Sequence, residues 1–399
     1  MPLLRKYIKR SIKKDKLVKL KDKIYLSISS EGLGHSSRAL AIMREFSPEE
    51  IVVGSYNYAY ERFKQTEYPC VELTQELKLI GDQGTFNVGK TIIKNHSWAL
   101  TFNQLVKQEM ALIQESGASC VVADGRLVPV IAADKLSLPC VVITNQSAFY
   151  PFFAKDSALV RVFGKSFDWI MKTWLSSAEE ILIPDFPPPY TICFPNLSQN
   201  YKVKKRTRFV GPLVSWDREE IIPIEYPDKS KPYIVVTLGG HAYRRPILDN
   251  VIEVARILPD INFDIFTNFN VENLPDNVRI VGMVSSLAQY IKASDLVITQ
   301  AGHSTAMELM TLGKASIVIP DFKQIEQENN AQRMSELEVS TVLKYDELSP
   351  DKLSKTINMM LNESKFSENA KKFADMAKEI QGRKVAAKVL REYSARMLY

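Results

Sequence analysis

The sequence predicts an α/β protein made of two Rossmann-like, doubly wound domains that face each other across a cleft. Short β-branched runs alternate with helical patterns from residue 24 onward, which is typical of parallel βαβ units. A proline-rich stretch in the middle of the chain interrupts this alternation, and the pattern then restarts. The chain has 399 residues, more than a single hydrophobic core usually supports. Two similar halves with a cleft between them follow from these observations.

The first half shows apolar runs flanked by turn residues and, between them, apolar residues at three- and four-residue spacing. Strands are predicted at 23–29, 51–54, 119–123 and 139–144, and helices at 36–46, 86–115 and 128–135. The second half repeats the pattern. Its strands are predicted at 233–238, 262–267, 278–281, 296–299 and 315–319, and its helices at 245–258, 287–293, 304–312, 326–337 and 350–396.

Charge and composition divide the chain further. Residues 1–23 carry ten Lys or Arg and two Asp, a net charge of +8, so the rest of the chain carries +6 − 8 = −2. The predicted organisation is a basic amphipathic tail (1–23), a first domain (24–214), a linker (215–231) and a second domain with the C-terminal helix (232–399). Apolar residues interleave with the tail's cations, which favours an anionic membrane surface as partner, with a solvated tail as an equal alternative. The near-neutral body argues against nucleic acid.

Composition excludes several classes of protein. With 45% hydrophobic and 25% charged residues, the chain is neither collagenous nor largely disordered. Its four cysteines form no paired motif, so we interpret them as buried apolar residues of a protein in a reducing compartment. There is no apolar run of the ~18 residues that a membrane-spanning helix needs. We therefore expect a cytoplasmic protein, peripheral at the inner face of the cell membrane.

Glycine-containing turns carry the candidate chemistry. His35, His241 and His303 each follow a glycine at a predicted strand-to-helix turn. The turn at Gly302 opens a helix, so the free N–H groups of His303, Ser304 and Thr305 form a candidate phosphate site. Simple N-capping by one of the two hydroxyl residues is the alternative.

A carboxylate follows one turn into the same predicted helix. Glu308 is suited to accept two hydrogen bonds from ribose hydroxyls, and a helix-dipole acid is the alternative interpretation.

The run from Thr299 to Glu308 (TQAGHSTAME), followed by Gly313, Pro320, Glu326-Gln327 and Asn330-Ala331, resembles the donor-binding signature of GT-B glycosyltransferases. It is most similar to the branch that contains the lipid-linked N-acetylglucosaminyltransferase of peptidoglycan synthesis and the UDP-glycosyltransferases. The loop Leu238-Gly239-Gly240 and the loop Glu31–His35 resemble the glycine loops that open the two domains of this family.

The resemblance implies roles for individual residues. Glu308 would hold the nucleotide ribose, and the turn at Gly302 with Ser304 and Thr305 would hold the diphosphate. Glu326 and Gln327 would contact the donor sugar, and the backbone near Met283 and Val284 would contact the uracil edge. Gly240 and His241 would approach the phosphates from the first loop of the second domain. Gly32 and Gly34 would belong to the acceptor loop. Two departures stand out: Gln300 replaces a histidine, and Glu326 replaces an aspartate whose role Gln324 could share.

Transfer requires a base for the acceptor hydroxyl and positive charge for the leaving diphosphate. A histidine suits proton removal near neutral pH, and His35 is the candidate, with Asp124 orienting it; capping of their own helices is the alternative. Helix N–H groups with His241 or Arg244 would stabilise the diphosphate. No metal and no cofactor is therefore expected, and the nucleotide-sugar is a co-substrate.

The acceptor is less constrained by the sequence. Residues 147–175 combine aromatic side chains with Lys and Arg, which favours an acceptor channel or a membrane-facing surface, while an ordinary core helix is the alternative. The function that follows is inverting transfer of a hexosyl group from a UDP-sugar to a hydroxyl acceptor, with a leaning toward a lipid-linked one. A nonhydrolysing UDP-sugar 2-epimerase and a non-catalytic nucleotide-sugar-binding subunit are the alternatives.

Overall fold

The computed structural model describes residues 23–76, 81–82, 85–86, 98–146, 148, 150–154, 157–193, 204–225, 230–239, 244–282, 284, 286–322 and 324–395. Its strands are β1 (Ile24–Ile28), β2 (Ile51–Ser55), β3 (Cys70–Glu72), β4 (Gly81–Asp82), β5 (Thr85–Phe86), β6 (Cys120–Asp124), β7 (Cys140–Ile143), β8 (Glu180–Ile183), β9 (Thr207–Phe209), β10 (Tyr233–Gly239), β11 (Asn262–Thr267), β12 (Val278–Ile280), β13 (Leu296–Thr299), β14 (Ser316–Val318) and β15 (Ser340–Val342).

Helices connect most of these strands. They are α1 (Leu33–Met43), α2 (Asn57–Lys64), α3 (Trp98–Ser116), α4 (Val128–Leu136), α5 (Ala158–Leu175), α6 (Arg245–Ile257), α7 (Ala288–Ala293), α8 (His303–Leu312), α9 (Ile325–Glu336), α10 (Pro350–Asn362), α11 (Ser364–Ile380) and α12 (Gly382–Ala395). The helical segment predicted at 350–396 is thus three helices, and Gln381 in a left-handed conformation separates the last two.

Two parallel sheets organise the chain. The first has the order β3-β2-β1-β6-β7-β8-β9 and the second the order β12-β11-β10-β13-β14-β15. All pairs within them are parallel, and only the small pair β4–β5 is antiparallel among the described strands. The α/β class with two doubly wound, Rossmann-like sheets is confirmed.

The central strands of the first sheet are buried on both faces, which explains their unbroken apolar runs. Ile24 and Leu26 face a core that also includes α1, while Tyr25 and Val121 face the core beneath α3 and α4. The second sheet is covered in the same way, with Ile234 and Val236 packed under α6 and α10. Each sheet therefore has its own hydrophobic core.

The last helix lies against the first sheet, although the predicted second domain (232–399) includes it. Ala386, Val389 and Leu390 of α12 pack in the core cluster of Ile24 and Leu26. An amphipathic pattern requires an apolar partner but does not specify which sheet provides it. The chain therefore crosses between the domains twice.

The two crossing segments meet at glycines. A Cβ on Gly382 would collide with the Pro212 carbonyl oxygen, and a Cβ on Gly211 would lie 2.5 Å from Ile380 Cγ2. Close packing of the crossing segments therefore depends on these glycines.

Parts of the predicted organisation lie outside the described residues, namely segment 1–22 of the basic tail and residues 226–229 of the linker. Linker residues 215–225 form neither helix nor strand, and Trp216, Ile221 and Ile224 pack against the core of the second sheet. Among the described helices, none has the length and apolarity needed to span a bilayer.

Candidate active site

The strand order of each sheet reverses once, and two strand ends lie side by side at that point. In the first sheet these strands are β1 and β6, which pair from Ile24 with Cys120 to Ile28 with Asp124. In the second sheet they are β10 and β13. Open parallel sheets bind ligands in the crevice beyond such strand ends. His35 and Asp124 lie at the first point, and the turn at Gly302 lies at the second.

His35 and Asp124 are in direct contact. Helix α1 begins at Leu33 with Gly32 as its N-cap, three residues earlier than predicted, so His35 lies in its first turn. His35 Nδ1 lies 2.7 Å from Asp124 Oδ1. The imidazole side chain is 25% exposed and the carboxylate only 1%. Neither residue is an N-cap, because that position belongs to Gly32 in α1 and to Leu127 in α4.

Arg38 completes this cluster. Its Nε lies 3.1 Å from Asp124 Oδ2 and its Nη2 lies 2.7 Å from Asp124 Oδ1, so the guanidinium binds the carboxylate with two hydrogen bonds. Burial alone would raise the pKa of Asp124, but the charges of Arg38 and His35 and their hydrogen bonds lower it to about 2. Asp124 is therefore an anion at neutral pH.

A glycine makes room for the imidazole. Gly125 has φ +69°, and a Cβ there would lie 2.6 Å from His35 Cε1 and 2.8 Å from Ser29 Cβ. Both the backbone conformation and the space therefore require glycine directly after the aspartate. The ring is held between the Asp124 carboxylate and the Gly125 backbone.

The opposite wall of the crevice is the start of α8. Ala301 adopts φ 62°, and Asn330 donates a hydrogen bond to its carbonyl oxygen. Gly302 is the N-cap, so neither Ser304 nor Thr305 occupies that position. A Cβ on Gly302 would meet nothing within 4 Å. The turn thus presents open space next to the helix N-terminus, where backbone N–H groups favour an anion.

The two walls touch at another glycine. A Cβ on Gly34 would lie 2.5 Å from Ser304 Oγ and 3.7 Å from Arg38 Nη1. The first turn of α1 therefore packs directly against the first turn of α8. Gly32, the N-cap of α1, has φ +83° and open space around it.

Glu308 lies one turn further along α8 and is half-buried. No hydrogen bond from another described residue satisfies its carboxylate. Burial raises the pKa of Glu308 to about 7, and the positive charge of Arg62 on α2 offsets only part of this effect. A carboxylate without a hydrogen-bond donor among the described residues is available to accept hydroxyl hydrogen bonds from a ligand.

Glu326 is bound by the first domain. Asn145 Nδ2 donates to its Oε1 at 2.9 Å, and Gln146 Nε2 donates to its Oε2 at 2.6 Å. Both amides lie within three residues of the end of β7. Gln324 is the N-cap of α9 and accepts from the backbone N–H of Glu326 and of Gln327, so its side chain has a structural role in this state.

Gln327 belongs to a partly buried network around Asp321. Its Oε1 accepts from the Asp321 backbone N–H at 2.8 Å, and its Nε2 donates to Asp321 Oδ2 at 3.1 Å. Arg244 donates to Asp321 through Nε and Nη2 and to the Leu238 carbonyl through Nη1. The charge of Arg244 is therefore matched by a buried aspartate, which makes it a poor partner for a leaving group.

The side chain of His303 lies in the protein interior, whereas its position in the motif predicts a place at the phosphate site. It is 4% exposed, and its Nε2 lies 3.5 Å from Asp185 Oδ2 in the loop after β8. Its backbone still begins α8, but its imidazole faces the interior. Motif spacing cannot reveal this because Asp185 is distant in the sequence.

Asp185, Cys193 and His303 are residue types that bind metals, and their ligand atoms lie within 4.8 Å of one another. Asp185 Oδ2 already accepts from Thr191 Oγ1, Ile192 N and Cys193 N. Burial raises the pKa of the Cys193 thiol well above its usual value, so the thiol is protonated. The cluster lies in a buried junction between the domains.

Three of the predicted donor-contact residues, Gly240, His241 and Met283, lie outside the described residues. Val284 is partly buried and packs on the core of the second sheet. Gln300 is 6% exposed, and its Nε2 has no partner within the described part of the chain.

Sequence reasoning missed Arg38, Gly125, Asn145 and Gln146. Two signals were available: Arg38 lies three residues after His35, hence on the same helix face, and Gly125 follows Asp124. The two amides gave no signal, because their partner Glu326 is in the other domain.

Comparison with known proteins agrees with this architecture. Residues 260–388 match the Glycosyltransferase family 28 C-terminal domain. An uncharacterized glycosyltransferase of Methanosarcina acetivorans is 33% identical over 379 residues, covering 92% of this chain and 97% of the relative. The crystal structure of the glycotransferase of kitacinnamycin superposes with a TM-score of 0.72 at 16% identity, covering 93% of this chain and 98% of that one.

A more distant relative has a named reaction. The UDP-N-acetylglucosamine--N-acetylmuramyl-(pentapeptide) pyrophosphoryl-undecaprenol N-acetylglucosamine transferase of Bacillus subtilis is 22% identical over 377 residues, covering 86% of this chain and 92% of the relative. The two parallel sheets, the crevice at their strand ends and these similarities lead to one conclusion. The chain belongs to the GT-B glycosyltransferases.

Proposed function

We propose that this glycosyltransferase is an inverting, metal-independent hexosyltransferase that uses a UDP-sugar and glycosylates a lipid-linked hydroxyl acceptor at the cytoplasmic membrane face. One observation carries the proposal. The His35–Asp124 pair, with its 2.7 Å contact, lies beside the N-terminus of α8 through the close packing of Gly34 on Ser304.

The proposed reaction is a single displacement. Asp124 accepts a hydrogen bond from His35 Nδ1–H, which leaves the lone pair of Nε2 to take the proton of the acceptor hydroxyl. The acceptor oxygen then bonds to the anomeric carbon while the bond from that carbon to the diphosphate oxygen breaks. The electron pair leaves with the nucleoside diphosphate. Attack opposite the leaving group inverts the anomeric configuration.

The donor would bind along α8 and α9. The open space at Gly302 and the N–H groups of the first turn of α8 suit the diphosphate, with the hydroxyls of Ser304 and Thr305 beside it. Glu308, without a partner among the described residues, suits the ribose hydroxyls. Glu326 would exchange the amides of Asn145 and Gln146 for sugar hydroxyls.

Metal independence rests on the charges that the chain supplies. The helix N-terminus provides partial positive charge where the diphosphate leaves. The described cluster of metal-ligand types, around Asp185, has its acceptor oxygens already occupied. We expect full turnover in excess EDTA; loss of activity that a divalent cation restores would overturn this part.

The membrane assignment rests on α5. Val162 and Trp169 are 64% and 62% exposed on this helix, and Phe163 is 40% exposed. Arg161 and Lys165 lie among them. An exposed apolar surface edged by cations suits an anionic bilayer, as does the basic segment 1–23.

The test is product analysis with the full-length protein. The protein is incubated with individual UDP-sugars and membrane lipid extract, and products are identified by mass spectrometry and by NMR of the anomeric proton. We expect UDP and a glycolipid of inverted configuration. A new UDP-sugar would indicate epimerisation, and binding without any product would indicate a binding subunit; either result overturns the proposal.

His35→Ala tests the base in the same assay. We expect no transfer, with UDP affinity by calorimetry within about twofold of the wild type, because the imidazole is outside the donor site. Unchanged turnover would remove His35 as the base.

A further inference from the structure

Arg38 is the buried cation of the His35–Asp124 cluster. It is 6% exposed, and its guanidinium makes a two-point contact with Asp124. Its Nη2 also lies 2.9 Å from His35 Nδ1. Asp124 Oδ1 therefore has two partners, the imidazole at 2.7 Å and Arg38 Nη2 at 2.7 Å. The aspartate is shared between a permanent cation and the histidine.

The shared carboxylate fixes the tautomer of the histidine. Arginine has only donors, and an ionised aspartate has only acceptors. With a proton on Nδ1, His35 donates to Asp124 Oδ1, Arg38 Nη2 donates to the same oxygen rather than to Nδ1, and the lone pair of the ring lies on Nε2. Without that proton, the Nδ1 lone pair would face a carboxylate oxygen at 2.7 Å, which is repulsive. Nε2 is therefore the basic nitrogen.

Charge balance has a second consequence. A buried carboxylate alone beside an imidazole favours the imidazolium, which cannot accept a proton. Arg38 compensates the charge of Asp124, so that the aspartate can orient the ring without holding it protonated. We infer that Arg38 is a positioning residue that acts through Asp124 to keep His35 neutral, with Nε2 free, at the pH of catalysis. This inference rests on the proposed function for the role of His35 as base.

Other charged or titratable groups surround α1. Arg62 on α2 donates to Ser36 and Ser37 at 2.9 and 3.0 Å. Glu326 on α9 and Cys193 after β8 both interact electrostatically with Arg38. Glu308 lies on α8, which packs against α1. Among these described groups, none besides Arg38 and His35 bonds Asp124, so Arg38 is the cation that decides its charge balance.

The experiment follows the protonation of His35 directly. Full-length protein with ¹⁵N-labelled histidine is titrated by NMR, and His35→Gln assigns the signals among the four histidines. In Arg38→Met we expect the midpoint of His35 protonation to rise by about one pH unit or more, because a cation close to the ring is lost. The apparent pKa of the acid limb in the pH profile of kcat/KM should rise by the same amount.

Two variants separate electrostatics from packing. Arg38→Lys retains the charge, so its midpoint should stay near the wild-type value while kcat falls through loss of the two-point geometry. Arg62→Met removes a nearby cation that does not bind Asp124, and its midpoint should move by less than about 0.3 units. An unshifted midpoint in folded Arg38→Met, checked by circular dichroism, would overturn the inference.

The titration also separates this inference from the proposed function. If His35→Gln retained turnover, the assignment of the base would fail, and the Arg38 variants would still report on the charge of the ring. If His35→Gln were inactive while Arg38→Met left both the midpoint and the acid limb unchanged, only the role of Arg38 would fail.

Discussion

Gly34 of the first domain approaches Ser304 of the second so closely that a methyl group on residue 34 would lie 2.5 Å from the serine hydroxyl oxygen. The same methyl group would be 3.4 Å from Ser304 Cβ, so the hydroxyl alone makes the contact too close. The first turn of α1, which carries His35, and the helix that is proposed to bind diphosphate therefore depend on each other for their positions.

We predict energetic coupling between these two residues. Gly34→Ala should displace the Ser304 hydroxyl and lower the free energy of unfolding by about 1 kcal/mol. In a Ser304→Ala background the same change should lower the free energy of unfolding by a smaller amount. A double-mutant cycle measured by urea unfolding checks this. Gly302→Ala, where a Cβ meets nothing within 4 Å, is the control. Gly302→Ala should lower the free energy of unfolding by less than about 1 kcal/mol, but it should weaken UDP binding. Strict additivity of the Gly34 and Ser304 changes would contradict the coupling.

Glu308→Gln should stabilise the free enzyme at high pH and weaken donor binding. The pKa of Glu308 in the folded state, about 7, lies above the usual 4.5, so the unfolded chain ionises first and stability falls as the pH rises between these values. The free energy of unfolding of the variant should therefore equal that of the wild type at pH 4 and exceed it by about 3 kcal/mol at pH 8. Its Kd for UDP should rise by about tenfold through lost ribose hydrogen bonds.

The matched control for Glu308 is Glu253→Gln, an exposed glutamate paired with Arg256 on the surface of α6. Its stability should change by less than about 0.5 kcal/mol at either pH. Equal stability of Glu308→Gln and the wild type at pH 8 would show that the carboxylate is not destabilised by burial.

Asp124→Asn should show the opposite pH dependence. The pKa of Asp124 is lowered to about 2, so its stabilising contribution is complete above pH 4 and is lost as the pH falls toward 2. At pH 7 we expect a loss of about 3 kcal/mol, because Arg38 remains buried without its counter-charge. Urea unfolding at successive pH values should show that the difference in free energy of unfolding between variant and wild type decreases below pH 4. A difference that is independent of pH would contradict this assignment.

Removing the amides that bind Glu326 should loosen the contact between the domains. In Asn145→Ala/Gln146→Ala we expect hydrogen exchange in the first turn of α9 to accelerate by about tenfold, since two charge-assisted hydrogen bonds are lost. Gln332→Ala is the control, because Gln332 bonds only to Glu336 of the same helix among the described residues. Unchanged exchange in the double variant would mean that these bonds do not hold the cleft.

Replacing the exposed apolar residues of α5 should reduce membrane association. We expect about tenfold less of the Val162→Ser/Trp169→Ser variant to sediment with vesicles containing phosphatidylglycerol. Deletion of residues 1–23 should also reduce sedimentation with these vesicles, most strongly at low salt. Ile222→Ser is the control, since this residue is 82% exposed but lies in the predicted linker. Equal sedimentation of the wild type and both variants would dismiss the membrane surface.

Local patterns determined much of the architecture. Apolar runs such as the Val-rich stretch of β6 predict buried parallel strands, and the glycine turns at Gly34 and Gly302 predict strand-to-helix junctions, because both signals depend on neighbouring residues alone. The pairing of His35 with Asp124 was also within reach, since adjacent parallel strands bring their carboxyl ends to one edge.

Tertiary structure alone decided which partners those residues have. In the folded protein His303 lies against Asp185, and Asn145 and Gln146 donate to Glu326. Arg38 lies beside the candidate base His35. The sequence determined that a crevice with these residue types exists, whereas the charge on each group depends on neighbours brought from distant segments. Burial and electrostatic interaction act through space, and linear spacing along the chain does not report those distances.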